Sequence, residues 1–410
     1  MVSPRDAELH VAADHGVRRA AAHREWQARP QGARSLSALA APQERFEAIR
    51  RHHHRRSGGK LVDLAYPNPG EVAPQLIAAL VDTLHESDGS SLQYTPYGGA
   101  TIPRRHVAHG LRRSHGVKVR VDDVVLTPGA MSALTLTLAA ALERGGEVVI
   151  VTPCWLDTPL YVTRQGGTPV LVPTRSDGHL DLAAIDAALG SNTKAVVISQ
   201  PANPTGVLYG TLELEGLAQM LSAHPSRPVL VSDECHRDFV FGEPFVSPLS
   251  GHSRTAVVYS FGKRLLAQGQ RLGYVAFHPS MEGWSERVRQ LARACGHATP
   301  TALMQRALPR LMRIPADTAA LAARRRRAVR RLGALGLSPV GRHTMFVYGR
   351  VPEPWDDFTF CELAASSGVL VMPSSLFHAP GGFRVTVTAD DSSLDEGLDA
   401  LASLSFEEAA

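Results

Sequence analysis

Lys263 sits in the stretch SFGKRLLAQGQRLGYVAF, with Ser260 just before it and Arg271 further on. A lysine amine can attack a carbonyl to form a Schiff base, and a hydroxyl with a permanent cation close by can grip a phosphate on the same reactant. A second anion-binding feature lies upstream, in TPGAMSALTLTLAAAL. There an apolar run at 124–126 leads through Gly129, Ala130 and Met131 into an apolar helical pattern. A glycine turn entering a helix aims free backbone N–H groups and the positive end of the helix dipole at an anion. Two further segments end apolar runs on polar residues: SQPANPTG carries Asn203 after 195–199, and PVLVSDECHRDF carries Asp233 and Glu234 after 229–232. Alone, Asn203-Pro204 reads as a turn and Asp233 as a helix cap. Their order with Lys263 is what points to chemistry.

That combination resembles the class I/II aminotransferases, a pyridoxal 5'-phosphate (PLP) family of fold type I, from about residue 61 to the C-terminus. The resemblance implies a Schiff base between PLP and Lys263, with the phosphate held by Gly129, Ala130, Met131, Ser260 and Arg271. It implies that Asn203 hydrogen-bonds the cofactor's O3' and that Asp233 pairs with its pyridine nitrogen. A buried carboxylate there keeps the nitrogen protonated, so the ring accepts the electron pair released at the substrate's α-carbon. Trp155, in TPCW, matches the aromatic residue stacked on the ring. Tyr94, in LQYTPYGGATIPRR, resembles the tyrosine that reaches a neighbouring subunit's phosphate, which implies a homodimer with shared active sites. Arg384, in GGFRVTVT, matches the arginine that binds the substrate's α-carboxylate through a two-pronged, charge-assisted pair.

Two positions depart from the family pattern. Where most members read Asp-Glu-x-Tyr, this chain has Asp233-Glu234-Cys235-His236, so a histidine replaces the tyrosine that tunes the cofactor's protonation. Asp-Glu-x-His resembles the MalY/PatB type of cystathionine β-lyases, which cleave C–S bonds. Pro67, in DLAYPNPGE, stands where the family commonly has glycine near the substrate carboxylate, and it has no N–H to offer. The leading expectation is an aminotransferase acting on an α-amino acid. The alternatives are a C–S β-lyase, another PLP reaction at the α, β or γ carbon, and a non-catalytic PLP-binding regulatory domain. No second arginine can be placed for a distal carboxylate, so neutral, basic or sulfur-bearing substrates are favoured over dicarboxylic ones.

The elements that must position these groups are legible as apolar runs at 124–126, 148–151, 170–172, 195–199, 229–232, 256–260 and 274–277, most separated by helical patterns. Continuous apolar strands alternating with helices predict a mostly parallel seven-stranded sheet covered on both faces, with functional groups at its strand ends. A helical region at 281–335 leads to a smaller α+β unit. The expected organisation is a segment at 1–60 that reads either as an N-terminal arm or as partly disordered, a segment at 61–90 associated with the small domain, a large PLP-binding domain at 91–298 and a small domain at 299–410.

A chain of 410 residues with 44% hydrophobic content can bury a large core. No apolar run reaches membrane-spanning length and no signal-peptide pattern opens the chain, so a soluble, cytoplasmic protein is expected. Cys154, Cys235, Cys295 and Cys361 lack paired spacing and read as reduced thiols, with no metal site. The formal charge of +4 is mild and implies no nucleic-acid partner. The basic run at 50–56, RRHHHRR, reads as a solvated segment, and the arginines at 324–327 as an exposed helix face with partner-facing salt bridges.

Overall fold

The computed structural model describes residues 35–69, 72–87, 89, 92–297 and 299–404. All seven apolar runs form strands of one sheet. Following the short β1 (Val62–Asp63), these are β2 (Val124–Thr127), β3 (Glu147–Thr152), β4 (Thr168–Pro173), β5 (Thr193–Ser199), β6 (Val229–Asp233), β7 (Thr255–Ser260) and β8 (Gly273–Phe277). Their spatial order is β2-β8-β7-β6-β5-β3-β4. Six strands run parallel, and β8 is antiparallel to both its neighbours.

Strand residues alternate between two cores, which is why the runs read as continuously apolar rather than two-periodic. Val125, Ile150, Val197, Val231, Val258 and Val275 pack with the helices Ala130–Ala141 and Trp284–Ala294. On the other face Val149, Val196 and Leu230 meet residues of the helix Thr211–Ala223, while Leu126, Val257 and Tyr274 meet residues of Thr101–His115 and Ala302–Leu311.

A second sheet, order β11-β12-β9, is antiparallel and built from β9 (Phe346–Arg350), β11 (Met372–Pro373) and β12 (Gly382–Thr386). The short β1 pairs in parallel with β10 (Val369–Leu370), which brings residues just N-terminal to Tyr66 onto this part of the chain. Of the expected N-terminal arm, residues 1–34 lie outside the described residues. The rest departs from the expectation: Leu36–Arg56 is a helix that buries Leu39, Phe46, Ile49 and His53. Their spacing is one helical stripe, masked in the sequence by the surrounding basic residues. His53 is therefore not a solvated histidine, and burial lowers its pKa.

The arginine run also needs correcting. Arg324, Arg327 and Arg331 pair within the chain with Asp391, Asp395 and Asp399 of the helix Asp391–Ala402. Arg325 is buried, donating to the carbonyls of Gly341, His343 and Phe346.

Candidate active site

The predicted residues converge because parallel strands deliver their C-terminal ends to one edge of the sheet. Ser199 lies in register with Asp233, and Asp233 with Val258, two residues before Ser260. The chain leaving β5 carries Asn203, the end of β6 carries Asp233, and the short helix after β7 carries Lys263. These residues line one cavity of about 230 Å³ together with Pro67, Ala130, Met131, Trp155, His236, Ser260, Arg271 and Arg384.

At one end the cavity meets the first turn of the helix Ala130–Ala141. Gly129 precedes it at φ 83°, a left-handed conformation that disfavours other residues. A Cβ there would lie 2.7 Å from Arg271 Nη2, so glycine also makes room for the guanidinium. Arg271 is held by the carbonyls of Gln268 and Pro128 at 3.0 and 3.2 Å and has no carboxylate partner among its hydrogen bonds.

In the middle, burial pulls the Lys263 amine down to a pKa of about 8; the Arg384 charge adds to this, while Cys235 and Asp233 oppose it. Burial pushes the Asp233 carboxyl up, against hydrogen bonds from Cys235 and the charge of Lys263. His236 is buried edge-on against Phe346, with ring centroids 5.1 Å apart. Burial, then Lys263 and Arg384, push its pKa well below the ordinary 6.5, so it is neutral at neutral pH.

At the far end Arg384, 2% exposed, is fixed between the rings of Phe346 and Phe377 at 4.1 and 4.8 Å. Its Nη1 donates to Asn203 Oδ1 at 3.1 Å and its Nη2 to the Ala65 carbonyl at 2.7 Å. Nε has no partner. A buried guanidinium held by neutral acceptors alone is poised for an anion.

Beneath Asp233 and His236 lies a buried charged layer. Burial alone would raise the pKa of Glu234, but His115, Arg237 and Ser247 hold it below the ordinary value. Arg237 also donates to Tyr274 at 2.7 Å and lies 4.2 Å over the Tyr259 ring.

Comparison with known proteins agrees with this geometry. Residues 61–401 match the family described as aminotransferase class I and II. The chain belongs to that family. It is 28% identical over 363 residues to the aspartate/prephenate aminotransferase of Thermus thermophilus, covering 85% of this chain and 92% of that protein. A solved double mutant of the Thermus thermophilus aspartate aminotransferase superposes with a TM-score of 0.80 at 26% identity, covering 92% of this chain and 98% of that one. The aspartate aminotransferase of Thermotoga maritima gives 0.80 at 25% identity, covering 87% and 96%. The fold is that of the PLP-dependent aminotransferases, and the chain is an enzyme of that kind.

PLP, the cofactor of this family, suits the donor set present. The glycine turn, Arg271 and Ser260 offer an anion site, Asp233 offers a carboxylate for a ring nitrogen, and the Nδ1 atom of buried His236 has no protein partner. Tyr94, by contrast, is fully exposed and stands outside the cavity of its own chain. Sequence reasoning missed Tyr66, Asn68, Gln268, Phe346 and Met372, which also line the cavity. Only Tyr66 and Asn68 carried a signal, as the neighbours of Pro67.

Proposed function

We propose that this cavity transaminates an α-amino acid, with Lys263 as the covalent anchor of the cofactor. The observation that carries this reading is Arg384, a buried guanidinium without a carboxylate partner on the same cavity as Lys263. When bound, PLP supplies the carbonyl that takes up the amino group and the ring that accepts the α-carbon's electron pair. Gly129, Ala130, Met131, Ser260 and Arg271 would hold the phosphate, and Trp155 would lie against the ring. Asp233 would supply the carboxylate for the ring nitrogen. Asn203 uses Oδ1 to steady Arg384, which leaves its Nδ2 to donate to O3'. Arg384 would fix the substrate carboxylate, and the free Nζ of Lys263 would take the α-proton as general base. Pro67 closes the wall beside the carboxylate without offering a donor.

The working unit in this reading is a homodimer in which Tyr94 serves the neighbouring subunit's phosphate. Support comes from the exposed apolar side chains Ile77, Val81, Leu84, Leu92, Tyr97 and Ile102, which fall in the same stretch of sequence as Tyr94. Mixing inactive Lys263→Ala and Tyr94→Ala proteins is expected to restore partial activity through hybrid dimers, and no recovery despite subunit exchange removes the shared site.

One observation favours a second reading. His236 is neutral and takes the place of the family's usual tyrosine, as in the MalY/PatB-type C–S β-lyases. The deciding experiment is a panel of amino acids and cysteine S-conjugates, read for pyridoxamine phosphate, keto acid, pyruvate with ammonia, and free thiol. Pyridoxamine phosphate with keto acid supports transamination; catalytic thiol and pyruvate without it establishes the lyase. His236→Tyr is expected to shift the ratio toward transamination, and an unchanged ratio removes His236 from the explanation.

A further inference from the structure

The stretch 65–68 is tied down on every side. Asp63 Oδ1 accepts the backbone N–H groups of Ala65 and Tyr66 at 2.9 and 3.1 Å. The Ala65 carbonyl accepts from Arg384 Nη2 at 2.7 Å, and the Pro67 carbonyl from Gln268 Nε2 at 2.6 Å. The Tyr66 hydroxyl donates to Glu47 Oε1 at 2.6 Å and accepts from Gln43 Nε2 at 2.9 Å, both on the helix Leu36–Arg56. Arg50 of that helix lies 5.4 Å over the Tyr66 ring. With its hydroxyl engaged by the helix, Tyr66 lines the cavity chiefly through its ring. Burial, reinforced by Glu47, raises its hydroxyl pKa to about 12, so it carries no charge.

The charged groups of the cavity are already committed under the proposed function. Lys263 anchors the cofactor, Arg271 faces the phosphate, Asp233 serves the ring nitrogen and Arg384 takes the α-carboxylate. What remains around Arg384 is Tyr66, Pro67, Asn68, Phe346 and Met372, which carry no formal charge. Among the described residues of this chain, a second carboxylate buried there would meet no further cation, which is unfavourable, whereas a large apolar side chain would gain from leaving water.

We propose that Tyr66, braced by Glu47 and Gln43, is a specificity-determining residue, and that with Phe346 and Met372 it selects α-amino acids with large apolar side chains, aromatic or thioether. The inference rests on the transaminase reading and names its substrate class. It also gives the helix Leu36–Arg56 a function, since that helix sets the position of the ring.

The test is the first half-reaction of the holoprotein, followed by the change in cofactor absorbance with phenylalanine, methionine, alanine, aspartate and glutamate. Phenylalanine and methionine are expected to exceed alanine and aspartate in kcat/KM by about tenfold or more, the usual worth of a few buried apolar contacts. Tyr66→Ala is expected to lower kcat/KM for phenylalanine about tenfold more than for alanine, mainly through KM. Tyr66→Phe keeps the ring but loses the brace and should fall between. Met372→Ala, remote in sequence, should lower the phenylalanine preference independently of how well the Tyr66 variants fold. Aspartate or glutamate as the best substrate, or equal losses for phenylalanine and alanine in both Tyr66→Ala and Met372→Ala, overturns the inference. Absence of conversion with every amino acid instead overturns the transaminase reading.

Discussion

The phosphate-facing end of the cavity comes from short stretches of chain, Gly129 to Met131 and Ser260 to Arg271, while the Arg384 end joins residues 319 positions apart through the Ala65 carbonyl. At the first end a backbone turn, a helix N-terminus and one guanidinium would do the binding in the proposed reading, with glycine required in the turn. At the second, an N-terminal helix, the stretch 65–68 and the second sheet meet, and each contributes side chains. Substitutions at the two ends should therefore separate cofactor retention from substrate choice.

The largest effect is expected between the two ends. In the proposed reading Lys263→Ala removes both the anchor and the general base and should lower turnover roughly 10⁴-fold or more, measured as keto-acid formation with excess cofactor. Next comes the layer beneath. Arg237→Ala leaves Glu234 buried without its guanidinium, and breaking such a pair costs about 3–5 kcal/mol; equilibrium denaturation should show that loss, and an unchanged midpoint would detach the layer from the fold's stability. Arg384→Gln should lower kcat/KM about 10²- to 10⁴-fold, from two lost charge-assisted hydrogen bonds at about 1.5–3 kcal/mol each, with little change in cofactor affinity.

The opposite pattern is expected from Gly129→Ala. Its strained φ, worth about 1–3 kcal/mol, and the clash with Arg271 should weaken cofactor retention about tenfold while leaving the ratio of phenylalanine to alanine rates unchanged. A variant that shifts both quantities equally would break the separation of the two ends. The smallest effect is one of pH. Because the Lys263 amine is held below its ordinary value, at about 8, its reactive neutral form grows about tenfold per pH unit up to that point and then levels off. Cofactor capture by the cofactor-free protein should follow that curve between pH 6 and 9.5. A rate still rising steeply above pH 9 would contradict it.

The large sheet was legible because its strands are buried on both faces, and the pattern of valine and isoleucine runs such as VVIV and AVVI does not depend on distant contacts. Lys263, Asp233 and Asn203 were legible for the same reason, since each follows such a run. Arg384 was readable from its own strand motif, though its partners Ala65 and Asn203 were not. The helix Leu36–Arg56 escaped notice because its buried stripe is interrupted by charged and histidine side chains that snorkel to the surface. Tyr66 was passed over because its role depends on Glu47 and Gln43 in that unrecognised helix. Local sequence thus points to the residues at the ends of the large sheet and misses the contacts that join distant segments around Arg384.

The most direct test of the central claim is borohydride reduction of the yellow holoprotein, followed by protease digestion and mass mapping of the fixed cofactor. The account predicts a single phosphopyridoxyl adduct on Lys263, in the short helix that follows the β7 strand. An adduct on any other lysine, or reduction that fixes no cofactor to the chain, would contradict it.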